Sequence, residues 1–269
     1  TTGTIGSVDR NGKYKVLYKD SLLKSSFGMK LDRKGDHLWV CISDPNYSIY
    51  SDSATFKKMA RLISISLISG KKIADVDLSK FIEGKHFAND LTLDDKGNIY
   101  ITDSYSPVIY KVDARGQANI FTQSELFKGE DVGLNGIVFH PGQFLLVANS
   151  RDGAIFKVDI KDPNKITKVK INTFFPGADG LLLDDQNNLV LIQNRGVNKA
   201  FQLTSNDNWE SAQIKSFTIA EDRFQYPTTG VMQNGNIYLL NSKLNELSDP
   251  GINPSKEFSL QLVKFKPAQ

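Results

Sequence analysis

Three short phrases in the sequence place an amide or a carboxylate at the front of an apolar run. Asn89 opens NDLTLD, Asn135 opens NGIVFH and Asp179 opens DGLLLD. Amide and carboxylate oxygens that converge on one point are the ligands that a hard cation such as calcium prefers. The phrases therefore predict a divalent-cation site, provided that the fold brings their first residues together.

The donor types also bear on which cation is expected. The three residues supply no thiolate and no imidazole, so the set favours calcium over metals that prefer those ligands. We expect one Ca²⁺ per chain, with Mg²⁺, Mn²⁺ and Zn²⁺ as alternatives. A structural explanation stands beside this one, because Asn and Asp often enter strands with their side chains bonded to nearby backbone N–H groups.

The three phrases belong to a repeat that runs through the chain. Aligned on the residue before Gly or Asp, most units recur after about 45 residues, which is the period of a propeller blade. One interval is longer because it contains the insertion SDPNYSIYSDSATFKKMA. The aligned positions are Phe27, Asn89, Asn135, Asp179 and Thr229.

Within each unit, short apolar strands alternate with turns rich in Asp, Gly and Asn. This pattern indicates an all-β fold, and four-stranded units repeated radially form a β-propeller. A β-sandwich would not repeat its residue types, and parallel β-helix repeats are shorter. We predict a single domain over residues 1–269, a six-bladed β-propeller. Its first blade is incomplete at the N-terminus, because TIGSVDRNGK matches the second half of a unit. A five-bladed ring is the alternative.

A second polar position closes the second strand of each unit. Every unit carries Asp or Asn there, whatever residue stands at the first aligned position, so we predict that these side chains cap turns. The residues concerned are Asp44, Asp103, Asn149, Asn194 and Asn241.

The NDL, NGI and ADG phrases, each entering a predicted propeller strand, resemble those of the senescence-marker-protein/gluconolactonase family, which shares its architecture with paraoxonase-type lactonases. The resemblance implies a six-bladed propeller with one divalent cation, often calcium, in the channel. It implies Asn89 and Asn135 as ligands from the third and fourth blades, and Asp179 from the fifth. The family's remaining ligand, a Glu on an inner strand of the first blade, has no counterpart in this sequence.

The resemblance also implies an activity. A cation held by neutral amides and few carboxylates can polarise the carbonyl of a lactone or ester and activate water for attack. Asp179 is then both a ligand and the candidate general base. The expected function is a divalent-metal-dependent hydrolase, a lactonase or esterase acting on a small molecule. Asp90 is a candidate ligand for a second cation, and a hydrogen bond at the strand entry is its structural alternative.

Substrate specificity is expected from loops at the mouth of the channel. Arg195, Tyr105 and Tyr226 are the candidate substrate-binding residues, and the two aromatic rings suit an apolar or ring-shaped substrate. A relay through water or a histidine is an alternative to Asp179 as the base. His86, three residues before Asn89, is the histidine best placed for it, although we expect an exposed loop residue there.

Composition and motifs argue against several other classes. The formal charge is +3 and the basic residues are scattered, so no nucleic-acid partner is expected. The longest apolar runs are too short to span a bilayer. The single cysteine, Cys41, allows no intramolecular disulfide and by itself fits any compartment. A soluble, cysteine-poor chain whose sequence begins within a structural unit leads us to expect a periplasmic or secreted location. The serine-hydrolase motif GxSxG does not occur.

Two alternatives to the hydrolase remain open, because one fold hosts many functions. The first is a non-catalytic propeller that binds a ligand or a protein. The second is a condensing enzyme similar to strictosidine synthase. Only the hydrolase requires a complete cation site.

Overall fold

A computed structural model describes residues 2–45, 47–129 and 131–268. Their backbone forms strands and a few short 3-10 helices, and the predicted all-β, β-propeller class is confirmed. The chain divides into two compact units, Thr1–Gly133 (unit 1) and Leu134–Gln269 (unit 2). Among the described residues, no helix has the length and apolar character needed to cross a membrane.

Unit 1 contains a two-stranded hairpin and two four-stranded antiparallel blades. The hairpin pairs β1 (Thr4–Val8) with β2 (Tyr14–Lys19). The next blade contains β3 (Ser25–Leu31), β4 (His37–Ser43), β5 (Ala60–Ser66) and β6 (Lys72–Asp77). The following blade contains β7 (Ala88–Leu93), β8 (Ile99–Asp103), β9 (Val108–Val112) and β10 (Ala118–Gln123). Short 3-10 helices occupy Ser79–Phe81 and Glu125–Phe127.

Unit 2 contains three blades. The first consists of β11 (Leu134–His140), β12 (Phe144–Asn149), β13 (Ile155–Asp159) and β14 (Ile166–Lys168). The second consists of β15 (Ala178–Leu183), β16 (Leu189–Gln193), β17 (Lys199–Thr204) and β18 (Gln213–Phe217), with β22 (Lys266–Pro267) at its edge. The third consists of β19 (Pro227–Gln233), β20 (Asn236–Asn241) and β21 (Ser259–Leu262). Two 3-10 helices span Ala220–Asp222 and Leu244–Ser248.

The blade count differs from the predicted six. The described residues form five blades of three to five strands, and the N-terminal hairpin is a separate two-stranded sheet. The sequence pattern of the hairpin does match the outer half of a blade. However, β1 and β2 pair only with each other, because the described chain supplies no further strand to that sheet.

Apolar side chains between neighbouring sheets hold each unit together. In unit 1, Leu62, Leu91 and Tyr110 belong to one buried cluster that joins the two blades. In unit 2, Leu146 and Leu181 belong to a cluster that joins the first two blades. The aliphatic positions of the repeat therefore form the core, and burial of this apolar surface is the main favourable term in folding.

A β-bulge interrupts the first strand of every blade at the aligned position. In β11 the pairing register with β12 shifts between Leu134 and Ile137, and Asn135 is the first residue inside the shift. The corresponding shifts lie at Ser26/Met29, Ala88/Leu91, Ala178/Leu181 and Pro227/Gly230. A bulge leaves residues out of the ladder and re-aims their side chains. Phe27, Asn89, Asn135 and Asp179 therefore share one structural position.

The bulge corrects the sequence alignment in the last blade. Gly230 pairs with Leu239 in the way that Ile137 pairs with Val147, so Gly230 lies after the bulge. The residue equivalent to Asn135 is therefore Thr228, and the sequence assignment of Thr229 was one position late. Thr229–Gly230 therefore matches the Asn-Gly and Asp-Gly phrases of the other blades in residue type but not in its position relative to the bulge.

A glycine at the second bulge position lets neighbouring first strands come into backbone contact. A Cβ placed on Gly136 of β11 would lie 2.1 Å from the carbonyl oxygen of Asp179 in β15. Within unit 1, a Cβ on Gly28 would lie 2.8 Å from the carbonyl oxygen of Asn89. These distances are far below a normal contact, so the approach requires a residue without a side chain at this position.

We predict that Gly136→Ala destabilises unit 2, because the added methyl group forces β11 away from β15. Overpacking of this kind costs about 1–3 kcal/mol of the free energy of unfolding, which urea denaturation would measure. Gly251→Ala is the matched control, because its Cβ would meet only a side-chain oxygen of Asp249 at 3.2 Å. Equal stability of the two variants would contradict the proposed role of the close approach.

Candidate metal and substrate site

Two of the three predicted cation ligands lie on neighbouring strands of unit 2. Asn135 and Asp179 are the first bulge residues of β11 and β15, whose backbones meet at Gly136. Asn135 is 6% exposed and Asp179 is half-buried. Asn194 anchors the acid, because its Nδ2 donates to Asp179 Oδ2 at 2.6 Å. The fold therefore places an amide and a held carboxylate at equivalent positions, side by side.

The third predicted ligand, Asn89, occupies the same bulge position in unit 1. Its side chain is half-buried, and Nδ2 donates to Ser104 Oγ at 2.8 Å. The carbonyl oxygen of the amide consequently points away from Ser104. The structure brings the strands that carry Asn135 and Asp179 into backbone contact within unit 2, while Asn89 has the equivalent position within its own blade.

The donor chemistry of these residues fits a hard divalent cation. Among the described residues, no three His, Cys, Asp or Glu side chains form a group that could hold a metal. A cation site in this part of the chain therefore has to draw on amide oxygens as well as a carboxylate, which is the ligand mixture that calcium accepts.

Asp90 makes the structural contact foreseen as its alternative role. It is buried, its Oδ1 accepts a hydrogen bond from Leu91 N at 2.9 Å, and its own N–H donates to Thr102 Oγ1 at 3.2 Å. Its Oδ1 also lies against Gly28 of the neighbouring strand, 2.5 Å from where a Cβ would stand. A second cation at Asp90 remains a prediction from the resemblance.

The second polar position caps turns in part of the repeat. Asp103 Oδ1 accepts from the backbone N–H groups of Tyr105 and Ser106 at 3.0 and 3.1 Å. Asn149 Oδ1 accepts from Arg151 N at 3.0 Å. Turn capping is thus confirmed for these two residues.

Asn194 does not share that position. Gln193 pairs with Ala178 as Asp103 pairs with Ala88, so Asn194 is one residue later and is equivalent to Ser104. This role of Asn194 was not predicted, although the sequence carries a signal for it. Ser104 lies 15 residues after Asn89, and Asn194 lies 15 residues after Asp179; each forms a hydrogen bond with that aligned residue.

The prediction of an exposed His86 was wrong. The imidazole is 3% exposed, and its Nδ1 lies 2.9 Å from Oδ2 of Asp103. Its Nε2 lies 2.9 Å from the carbonyl oxygen of Ile82. The hydroxyl of Tyr110 donates to the same Asp103 oxygen at 3.1 Å. The ring is buried because the carboxylate of Asp103 and a carbonyl receive its two N–H groups.

These contacts also shift the pKa of the His86 imidazole. Burial by itself lowers the pKa of the imidazole, but the hydrogen bond and charge of Asp103 outweigh it, with help from the Ile82 carbonyl and Asp77. The net pKa is raised. Burial and the Asp103 carboxylate likewise raise the pKa of Tyr110, so that its hydroxyl remains a donor.

A surface cavity of about 430 Å³ opens beside this cluster. It is lined by Lys58, His86 and residues 79–84. Because both nitrogens of His86 face protein acceptors, the ring offers no nitrogen to a ligand in the cavity. His86 is therefore an anchor for the segment that leads into β7, and the alternative of a histidine relay finds no geometric support.

Tyr105, one of the predicted substrate-binding residues, is half-buried in unit 1. Its ring packs edge-to-face on Phe87 at 5.2 Å, and Nζ of Lys57 lies 5.6 Å from its centroid. Burial, with smaller effects of Tyr47 and Asp131, raises the pKa of Tyr105 to about 12. The phenol is thus neutral near pH 7 and presents an uncharged ring.

The other two predicted substrate-binding residues belong to unit 2. Arg195 is exposed, and its aliphatic stem lies over Gly177. A Cβ added to Gly177 would stand 3.0 Å from the Cβ of Arg195. Gly177 precedes Asp179 by two residues, so Arg195 borders the strand entry. Tyr226 is half-buried just before β19, and its carbonyl accepts from Ser242 Oγ at 2.9 Å.

No protein-family model matches the chain, and no curated protein matches it. Solved structures do resemble it. The major allergen Mala s 1 of Malassezia sympodialis has a TM-score of 0.70 and 20% identity over 96% of this chain and 84% of its own. Virginiamycin B lyase from Staphylococcus aureus has a TM-score of 0.64 and 16% identity over 88% of this chain and 70% of its own.

A candidate gluconolactonase also resembles the chain, with a TM-score of 0.61 and 16% identity over 99% of this chain and 83% of its own. At these identities the likeness establishes the fold alone. The fold is thus a propeller used by an enzyme and by an allergen, and function has to be argued from the residues.

We predict that the raised pKa of His86 makes stability depend on pH. Its pKa is raised in the folded state above the ordinary 6.5 of the unfolded chain. The contribution is therefore fully present below about pH 6.5 and is lost as the pH rises through the folded-state value. Unfolding free energies measured from pH 5.5 to 9 should decline more steeply for the wild type than for His86→Gln.

Lys34→Gln is the control for this experiment, because it removes an exposed charged side chain from the turn between β3 and β4. Its pH profile should follow that of the wild type. Parallel profiles for wild type and His86→Gln would show that the buried pair does not carry the charge assigned to it.

Proposed function

We propose that the chain is a divalent-cation-dependent hydrolase that opens lactones or related esters. The observation that carries the proposal is the placement of Asn135 and Asp179 at equivalent bulge positions on strands in backbone contact. The same contact occurs at Gly28, beside Phe27, so the residue types distinguish the pair in unit 2: an amide and a carboxylate stand at neighbouring bulge positions. Asn89 joins the proposed ligand set through its identical position in its own blade.

The residues divide the work as follows. Asn89, Asn135 and Asp179 would hold the cation, for which calcium is the proposed identity. When bound, a divalent cation supplies Lewis acidity toward a carbonyl oxygen. Asp179, held by Asn194, is also the candidate base that accepts a proton from water. Because Asn194 is a neutral donor, it orients the carboxylate without cancelling the charge that attracts a cation.

The similar folds support an enzymatic use of this scaffold without deciding it. One of the proteins with a similar fold is a candidate gluconolactonase and another is a lyase. The proposed substrate is a small lactone or ester. A binding propeller without catalysis is the outcome that the experiments below would reveal if the cation site is absent.

We expect the chain to bind one calcium ion per molecule, measured by calorimetry and by metal analysis after dialysis. Asn135→Ala and Asp179→Ala each remove an oxygen ligand and should abolish binding, and Asn89→Ala should do the same. Asn236→Ala removes an exposed amide on β20 and is the control. If the wild type takes up none of Ca²⁺, Mg²⁺, Mn²⁺ and Zn²⁺, the hydrolase proposal fails.

We expect hydrolysis of at least one member of a lactone and ester panel, followed by acid release at constant pH. A chelator should abolish turnover and calcium should restore it, because the carbonyl then regains its Lewis acid. Asp179→Asn keeps an oxygen but loses the charge and the basicity, so turnover should fall by about 10²-fold or more. Activity that survives the chelator would place the chemistry elsewhere.

A further inference from the structure

Unit 1 carries an aromatic cluster that the proposed chemistry does not use. Phe27 packs edge-to-face on Phe87 with ring centroids 4.5 Å apart, and Phe87 packs on Tyr105 in the same manner at 5.2 Å. Phe87 is buried, whereas Phe27 and Tyr105 are half-buried. The inner ring thus supports two outer rings that keep part of their surface accessible.

The fold places this cluster around Asn89. Phe27 and Asn89 occupy the same bulge position on β3 and β7, and the two strands are in contact at Gly28. Tyr105 follows Ser104, whose hydroxyl holds the amide of Asn89. The rings of Phe27 and Tyr105 thus belong to the neighbouring bulge position and to the residue after Ser104, the two places that flank Asn89.

Lys57 adds a positive charge to the cluster. Its Nζ lies 5.6 Å from the ring centroid of Tyr105 and 5.4 Å from that of Phe56. Its backbone is fixed on both sides, because its N–H donates to Asp44 O and its carbonyl accepts from His86 N, both at 2.8 Å. The residue has a left-handed φ of 55°. Such strain in a non-glycine residue costs energy and is concentrated at functional sites.

We propose that the half-buried rings of Phe27 and Tyr105, which pack on Phe87, and the ammonium of Lys57 recognise an aromatic ring that bears or acquires a negative charge. Resting on the proposed function, the substrate class is an aryl-substituted lactone or ester. Its hydrolysis breaks the acyl C–O bond, consumes one water and releases an aromatic carboxylate, a hydroxyl group and a proton. The rings pack edge-to-face on the aryl group, and the ammonium of Lys57 pairs with the carboxylate.

The same surface disfavours a sugar lactone. Its several hydroxyl groups would lose water against the faces of two half-buried rings, where the Tyr105 hydroxyl is the one polar group, and desolvation of the remaining hydroxyl groups costs free energy. The cluster therefore separates aromatic from polyhydroxylated substrates at the first contact beside Asn89.

Binding of 3-phenylpropanoate, titrated by calorimetry and by ligand-observed NMR, tests the proposal. The titrations are run in a chelator and again in calcium, with gluconate as the polyhydroxylated comparison. The wild type should bind 3-phenylpropanoate under both conditions and more tightly than gluconate. Lys57→Asn removes the charge and suits a left-handed backbone, and Tyr105→Leu removes the ring but keeps apolar bulk. Each should weaken binding by about three- to tenfold.

Lys80→Asn is the matched control, because Nζ of Lys80 lies 5.3 Å over Phe81 in a similar pair outside the cluster. It should bind as the wild type does. Equal affinity for 3-phenylpropanoate and gluconate would overturn the proposal. Wild-type affinity in both Lys57→Asn and Tyr105→Leu, each checked for folding by circular dichroism, would overturn it as well.

The two proposals fail separately. Calcium uptake without binding of 3-phenylpropanoate would reject the aromatic recognition and leave the hydrolase standing. Binding of 3-phenylpropanoate in the chelator, with no cation uptake, would reject the hydrolase and retain the recognition cluster as part of a binding protein.

Discussion

The candidate site depends on the backbone contact between neighbouring first strands. Ordinary strand packing leaves room for side chains, but at Gly136 the space for a Cβ is filled by the carbonyl of Asp179. The bulge and the glycine act together, because the bulge frees two residues from the ladder and the glycine removes the one side chain that would hold the strands apart. The residue before the glycine is thereby brought to its counterpart on the next strand.

Neutral hydrogen-bonding side chains complete this arrangement. Ser104 holds Asn89, and Asn194 holds Asp179, each from the residue that follows the end of the second strand. Side chains held in this way lose little conformational entropy when they bind a ligand, so less of the favourable interaction free energy is offset by ordering. A lysine or arginine in place of Asn194 would fix the carboxylate equally well but would compete with any cation for its charge.

Much of the fold could be predicted from the sequence, because strand alternation and turn residues repeat at a blade's spacing. The blade count and three alignments could not. Asp44 was grouped with Asp103, but Ser26 pairs with Ile42 as Ala88 pairs with Asp103, so Asp44 lies two residues beyond that position. In the last blade, Thr229–Gly230 matches the residue types of the phrase but lies one residue later than the aligned position. Strand pairing is needed to show that Thr228 is the first bulge residue. Asn194 was likewise grouped with Asp103, although pairing places it one residue later.

The site residues that could be predicted are those marked by a pattern of neighbouring residues in the sequence. The aligned residues Asn89, Asn135 and Asp179 stand in recognisable phrases. The environment of His86 is set by Asp103 and Tyr110 on β8 and β9. Because these partners are distant in the sequence, the residues around His86 do not predict its burial. The aromatic cluster is of the same kind, because Phe27 and Tyr105 come from different blades and meet only through Phe87.

The bulge contact also has a consequence for the order in which the chain folds. Pairing of β11 with β12 closes a short loop, which costs little chain entropy and proceeds quickly. Gly136, by contrast, meets Asp179 a full repeat later in the chain. Hairpins of unit 2 can therefore form while their first strands are still apart, and the pair of residues proposed to carry the chemistry is assembled in the later docking step. A nascent blade is thus chemically incomplete until its neighbour has been synthesised.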